Sequence, residues 1–317
     1  MFPRSIRSVV LCLGSLFLTP AYSQEAPPTQ NQSNEKMPTF SVDVKLVNVF
    51  ATVLDQTGAP VGGLTKENFK IAEDGVPQKI AVFSKESELP LSIVLAMDVS
   101  LSVKKDLKLE VESARKFVKA LIRPQDALSL FTFSETVNEL TRFTSKVETI
   151  DAGLNRVQPG KATALYDAIY LASQGVSRRQ GRKVLLVITD GGDTVSSTNY
   201  QQALRAAQES EAIVYSLIVQ PITADAGRDL GGEHALIQMS HDTGGKFFYA
   251  KGIGELDKVF QQVSDELRTQ YLLAYYPVKR LTSSQFRRIK VDVNAEIPNG
   301  PPVARYRTGY YTAKDSF

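Results

Sequence analysis

The stretch LSIVLAMDVSLS, Leu91–Ser102, opens as an uninterrupted apolar run and ends with Asp98, Ser100 and Ser102 on alternate residues. A near-continuous apolar run is what a strand covered on both faces of a parallel sheet requires. Its end, however, carries oxygen donors. Side chains on extended backbone repeat every two residues, so these three are predicted to turn their oxygens to one side. In an open α/β sheet, ligands bind in the crevice outside the carboxyl ends of the strands. One carboxylate with two hydroxyls at that place suits a hard divalent cation.

The segments that follow repeat the alternation of strand and helix. Lys105 to Ile122 carries Leu107, Val111, Ala114, Val118 and Leu121 at helical spacing. ALSLFTFS (Ala127–Ser134) and KVLLVITD (Lys183–Asp190) read as further buried strands, as do AIVYSLIV (Ala212–Val219) and KFFYA (Lys246–Ala250). TALYDAIYLASQGV (Thr163–Val176) and IGELDKVFQQVSDEL (Ile253–Leu267) read as helices with one apolar stripe each. Repeated βα units predict an α/β fold, a doubly wound and mostly parallel Rossmann-like sheet over residues 89–270.

On either side the pattern changes to period two. Phe40 to Asp55 alternates, and NFKIAEDGVPQKIAVFS (Asn68–Ser84) predicts two short strands about an Asp74–Gly75 turn. YLLAYYP, FRRIKVDVNA and ARYRTGYYT add three strands between residues 271 and 317. Each group alone makes a weak sheet. The N-terminal β module, residues 39–88, is therefore expected to be completed by residues 271–317 as one sandwich-like unit into which the α/β domain is inserted.

The chain has 317 residues, 43% of them hydrophobic and 22% charged, enough for one large core or two modest ones. Its net charge of +3 gives no electrostatic footprint for nucleic acid or an acidic membrane. The densest basic stretch, SRRQGRK (Ser177–Lys183), is expected to close a helix with its cations solvated at the dipole's negative end. Arg4 and Arg7, the apolar Val9–Leu18 and the small residues of AYSQ (Ala21–Gln24) predict a signal peptide over residues 1–23. Its apolar segment falls short of the roughly 18 residues a membrane span needs. Residues 24–38 read as a flexible linker. The only cysteine, Cys12, lies in the apolar segment. An exported chain without it has neither disulfides nor thiol chemistry, and its expected location is periplasmic or extracellular.

Two more segments bring oxygens to the predicted crevice. GKATALYDAI (Gly160–Ile169) places Thr163 just before a helix, and VLLVITDGGD (Val184–Asp193) ends a buried strand at Asp190. GKAT is not a phosphate loop, because alanine follows Lys161. The order Asp98-x-Ser100-x-Ser102, Thr163, then Thr189-Asp190-Gly191 resembles the metal-ion-dependent adhesion site (MIDAS) of von Willebrand factor type A domains, over roughly residues 89–270. The flanking segments resemble exported bacterial proteins described as von Willebrand factor A-related.

That resemblance implies that Asp98, Ser100, Ser102 and Thr163 contact a divalent ion directly or nearly so, and Asp190 directly or through water. Mg2+ is the expected ion, with Mn2+ or Ca2+ as alternatives. It further implies a protein partner that offers an Asp or Glu to the metal, and in some members a shift of the last helix, here near Gly254–Arg268. Charge arithmetic agrees: two carboxylates at most face a dication, the other donors are neutral, and a helix N-terminus adds positive potential, so the ion stays electrophilic.

The expectation is an exported, non-enzymatic adhesion module; the alternatives are a structural subunit whose ion only braces loops, and a metal-dependent hydrolase. The hydrolase has thin support. Only His234 and His241 exist, no third ligand accompanies them, and neither a GxSxG elbow nor a DxD nucleophile pair is present. Glu135 and Asp193 lie near the predicted crevice and read equally well as solvated loop acids.

Overall fold

The computed structural model describes residues 46–85, 89–219, 230–251, 253–279 and 285–312. The expected signal peptide, the linker and the first residues of the N-terminal module lie outside the described residues. Among the described residues four strands precede the α/β region: β1 (Val47–Leu54), β2 (Phe69–Glu73), β3 (Val76–Gln78) and β4 (Ile80–Lys85). Asp74 and Gly75 both take positive φ, 46° and 79°, between β2 and β3. This is the backbone a two-residue hairpin with the strands' own twist demands, and Asp-Gly supplies it.

The α/β region begins with β5 (Leu91–Asp98), α1 (Leu107–Leu121), β6 (Ala127–Phe133), β7 (Val137–Thr144) and α2 (Val147–Leu154). It continues with α3 (Leu165–Ser177), β8 (Arg182–Thr189), α4 (Tyr200–Glu209), β9 (Ala212–Val219), α5 (Leu230–Thr243), β10 (Phe247–Ala250) and α6 (Leu256–Leu267). The six-stranded sheet has the order β10-β9-β8-β5-β6-β7, parallel except for the antiparallel edge strand β7. Strand alternation sorts the apolar residues into two layers. Ile93, Leu95 and Met97 of β5 and Val184, Leu186 and Ile188 of β8 meet α1, α2 and α6 on one face. Val94, Ala96, Leu185 and Val187 meet α3, α4 and α5 on the other. This two-sided burial is why the strands read as unbroken apolar runs.

After α6 come β11 (Tyr271–Tyr275), β12 (Phe286–Val293), β13 (Val303–Tyr306) and β14 (Gly309–Tyr311). Strands from both sides of the α/β region interleave in two antiparallel sheets, β13-β1-β11-β4 and β14-β12-β2-β3. Val47, Val49, Ala51 and Val53 of β1 and Tyr271, Leu273 and Tyr275 of β11 close against Phe69, Ile71, Ile289 and Val291 of the facing sheet. Two sequence readings need correction. The second strand predicted after Asp74–Gly75 is two strands, for at Lys79 the chain leaves the sheet of β3 and enters that of β4. ARYRTGYYT likewise divides at Arg307–Thr308 between β13 and β14 in opposite sheets. Alternation sets which face a residue shows, not which sheet receives the strand.

Ion pairs join the sandwich to the α/β region. Glu266 of α6, 3% exposed, meets Lys246 at 3.0 Å and Arg305 of β13. Arg307, between β13 and β14, meets Glu211, between α4 and β9, at 3.5 Å. Within the basic stretch Lys183 donates to the Ser177 carbonyl at the end of α3, 2.8 Å, as a dipole-capping cation should. Arg182, however, is buried, and its guanidinium donates to the carbonyl of Leu267 that ends α6. It serves a helix distant in sequence, which the local pattern does not reveal.

Candidate metal centre

The parallel register of β5 and β8 pairs Met97 with Ile188, so Asp98 and Thr189 come next on neighbouring strands with side chains on one face. The Thr189 hydroxyl accordingly donates to Asp98 Oδ2 at 2.6 Å. Asp98 Oδ1 accepts the Ser100 N–H at 2.8 Å, which folds the chain back over the strand end. From there oxygen meets oxygen. Ser100 Oγ lies 3.0 Å from Ser102 Oγ, and Ser102 Oγ donates to Asp190 Oδ1 at 3.0 Å. Asp98 and Ser100 are buried, Asp190 is half-buried and Ser102 is exposed, so the cluster opens outward at Ser102 and Asp190.

The loop that carries Thr163 is stitched to its neighbours through backbone groups. Gly160 donates to the Val99 carbonyl at 2.6 Å, and Leu101 donates to the Lys161 carbonyl at 3.4 Å. The Thr163 carbonyl accepts Thr194 N–H at 2.8 Å, and its own N–H donates to Thr194 Oγ1 at 2.9 Å. The three loops are thus one laced unit. Gly160 permits the closest approach, because a Cβ there would collide with the Ser134 side chain and stand 2.9 Å from Glu135 Oε2. Glu135 and Asp193 are loop braces rather than free solvated acids. Glu135 accepts the Lys161 N–H at 2.8 Å, which helps hold its carboxyl down at about 2, and Asp193 accepts the Tyr166 N–H at 3.2 Å.

The electrostatics are one-sided. Burial pushes the Asp98 carboxyl up to about 6, against the pull of its Thr189 and Ser100 hydrogen bonds, and Asp190 raises it further. Burial also raises Asp190. A third acid, Glu110 in the first turn of α1, is 1% exposed. Burial, then Asp98, Asp190 and Asp106, push it well above the ordinary range. Ion pairs among the described residues reach none of Asp98, Asp190 and Glu110.

Glu110 was not among the residues singled out from sequence. Its signal is there nonetheless: it stands three residues after Leu107 and four before Ala114, inside the buried stripe. His234 and His241 are both exposed, and His241 Nδ1 lies 3.3 Å from Asp242. No group of three or more His, Cys, Asp or Glu placed to hold a metal occurs among the described residues. The donor set that does converge, two carboxylates with serine and threonine hydroxyls, has the oxygen-only chemistry that suits Mg2+, Mn2+ or Ca2+.

Comparison with known families matches residues 93–193 to the von Willebrand factor type A domain. The matched residues run from β5 to just beyond β8 of the six-stranded sheet. Among solved structures, proximal thread matrix protein 1 from the mussel byssus superposes with a TM-score of 0.51 at 15% identity, over 62% of this chain and 51% of that one. A further structure of that mussel protein, described as having a zinc-occupied MIDAS motif, gives 0.51 at 16% identity over 62% and 50%. The conserved hypothetical protein BatB from Bacteroides thetaiotaomicron gives 0.46 at 21% identity, over 56% of this chain and 100% of that one. The chain spans about half the length of the mussel protein, and the likeness is one of fold. Curated proteins gave no match.

Proposed function

We propose that this von Willebrand factor type A domain holds a divalent cation at Asp98, Ser100, Ser102, Thr163 and Asp190 and uses it to capture an acidic side chain of a partner protein. The observation that carries this reading is the charge imbalance: buried or half-buried carboxylates converge with hydroxyls, and the charges that act on them are those of other acids. Burying carboxylates together is costly unless a cation joins them. Bound there, a divalent ion would supply a Lewis-acidic centre to which a carboxylate is drawn. Asp98 and Asp190 would hold it by charge, while Thr189 and the Ser100 N–H keep Asp98 aimed. Mg2+ fits the small number of carboxylates best.

The surroundings favour a protein as the ligand. Leu101, between the two serines, is 60% exposed, and Val195, bonded to the Thr163 carbonyl, is 48% exposed. Apolar side chains flanking a charged centre suit a macromolecular surface more than a hydrated small anion. Export is proposed on the sequence of residues 1–23; among the described residues no helix is long and apolar enough to cross a membrane. On this reading residues 39–88 and 271–317 form the support that presents the domain.

Calorimetric titration of the full chain with MgCl2 or MnCl2 tests the proposal. One ion per chain is expected, with binding abolished in Asp98→Ala while circular dichroism is retained. Retention of a protein from the native envelope or medium should be reversed by chelator and absent with Asp98→Ala. Loss of melting temperature in that variant in Mg2+ but not in chelator, at unchanged partner capture, would instead identify a scaffold whose ion only braces the loops.

A further inference from the structure

Glu110 poses a problem that the five candidate ligands leave open. It is 1% exposed, and neither carboxylate oxygen has a hydrogen-bond partner among the described residues. Acids buried to a similar degree are served differently. Glu73 accepts two phenolic hydroxyls, Asp126 accepts the N–H groups of Leu91 and Arg123, and Glu266 meets two cations. A carboxylate left without any partner in the interior is the costliest way to fill a helix position. An alanine or leucine at 110 would simply continue the stripe of Leu107, Ala114, Phe117, Val118 and Leu121.

What Glu110 faces explains its presence. The charges that act on it are Asp98, Asp190 and Asp106, so it stands within electrostatic reach of both candidate carboxylate ligands. Ser102 and Asp190 form the open side of the cluster, whereas Glu110 is enclosed, in the first turn of α1, whose buried stripe shares one core layer with Met97, the residue before Asp98. It is not a sixth ligand, because no three acids among the described residues are spaced to share an ion.

We propose that Glu110 is an outer carboxylate of the cation site, a positioning residue that adds negative charge from the protein side and sets how tightly the ion is held. This inference rests on the cation reading above. It makes the site asymmetric: three acids hold the ion from the protein side while its outer side is left to a partner's acid. Outer groups of metal sites commonly change affinity by about 10- to 100-fold.

The test uses the full chain with Mn2+ alone as the probe, comparing wild type, Glu110→Gln, Glu110→Asp and Asp98→Ala by titration calorimetry and by thermal melts in EDTA and in saturating Mn2+. Glu110→Gln should bind Mn2+ about ten-fold more weakly at unchanged stoichiometry. In EDTA it should melt at or above the wild-type temperature, since a buried unpaired acid is gone, and Mn2+ should raise its melting temperature less. Glu110→Asp, which keeps the charge, should stay within a few-fold of wild type. Wild-type affinity in Glu110→Gln, equal loss of melting temperature in EDTA and Mn2+, or an Asp variant as weak as Gln would overturn the assignment. Each would leave the cation reading intact provided Asp98→Ala still abolishes binding. No Mn2+ binding by the wild type would overturn both.

Discussion

Two buried carboxylates, Glu73 in the sandwich and Asp98 at the strand ends, meet the same physical difficulty and are answered in opposite ways. Glu73 is 2% exposed, and its Oε2 accepts the hydroxyls of Tyr275 and Tyr310, each at 2.8 Å. Arg287 stands 3.8 Å from its other oxygen. β2, β11, β12 and β14 each bring one member of this group, so the chain completes it from within. Asp98 receives only neutral donors, Thr189 and the Ser100 amide, and its charged neighbour is another acid. A buried charge that its own chain answers is architecture; one answered by further acids is addressed to something the chain does not supply.

The largest expected effect tests the first half of that contrast. Glu73→Ala leaves two buried phenols without their acceptor and takes one of two nearby carboxylates from Arg287, which keeps Asp74 at 3.2 Å, and should lower unfolding free energy by about 3 kcal/mol. Urea denaturation in EDTA and in Mg2+ should give the same loss, because nothing in that network touches the cation loops. A loss that shrinks on adding Mg2+ would break the contrast and show the two regions to be coupled.

How much of this contrast the sequence reveals depends on how local each cause is. Asp98 could be located at a strand end because an apolar run is a local rule, but Ser100 and Ser102 meet through a turn that follows β5 and not through the period-two extension expected of them; the strand and helix ends that carry Thr163 and Asp190 are local features too. Glu110 escaped because an acid within an apolar stripe looks like a solvated interruption until the helix's burial is known. Glu73 escaped for the opposite reason: its partners lie about 200 residues along the chain. The same holds for Arg182, whose acceptor ends a helix that no local pattern connects to it. The sheet changes at Lys79 and Arg307 are decided by which partner strand is free, a tertiary choice that alternation cannot encode.

Acidity sharpens the second half of the contrast, with a smaller effect. The folded value of Asp98, about 6, lies above its ordinary 3.8. A raised carboxyl stabilises the protonated folded state, so in chelator this group's contribution is most favourable below about pH 4 and fades as pH rises through about 6. The loss by neutral pH is on the order of 2–3 kcal/mol. A cation takes over from the proton, and only about a tenth of Asp98 is ionised at about pH 5. Mg2+ affinity by calorimetry should therefore fall about ten-fold between roughly pH 7.5 and 5. An affinity independent of pH over that range would mean that protonation of Asp98 does not compete with the ion there.

The smallest expected effect separates holding the ion from using it. Leu101 is exposed, yet its N–H is tied to the Lys161 carbonyl, so its side chain is carried on the laced loops without being part of their core. Leu101→Asn should leave Mn2+ affinity within about two-fold, since neither charge nor a ligand oxygen changes. If a partner buries this leucine beside its acid, the variant forfeits about 1.5 kcal/mol of apolar contact, or about ten-fold in partner retention. Unchanged retention would confine recognition to the ion and the partner's carboxylate, whereas weakened Mn2+ binding would show that Leu101 orders Ser100 and Ser102 instead of meeting a partner.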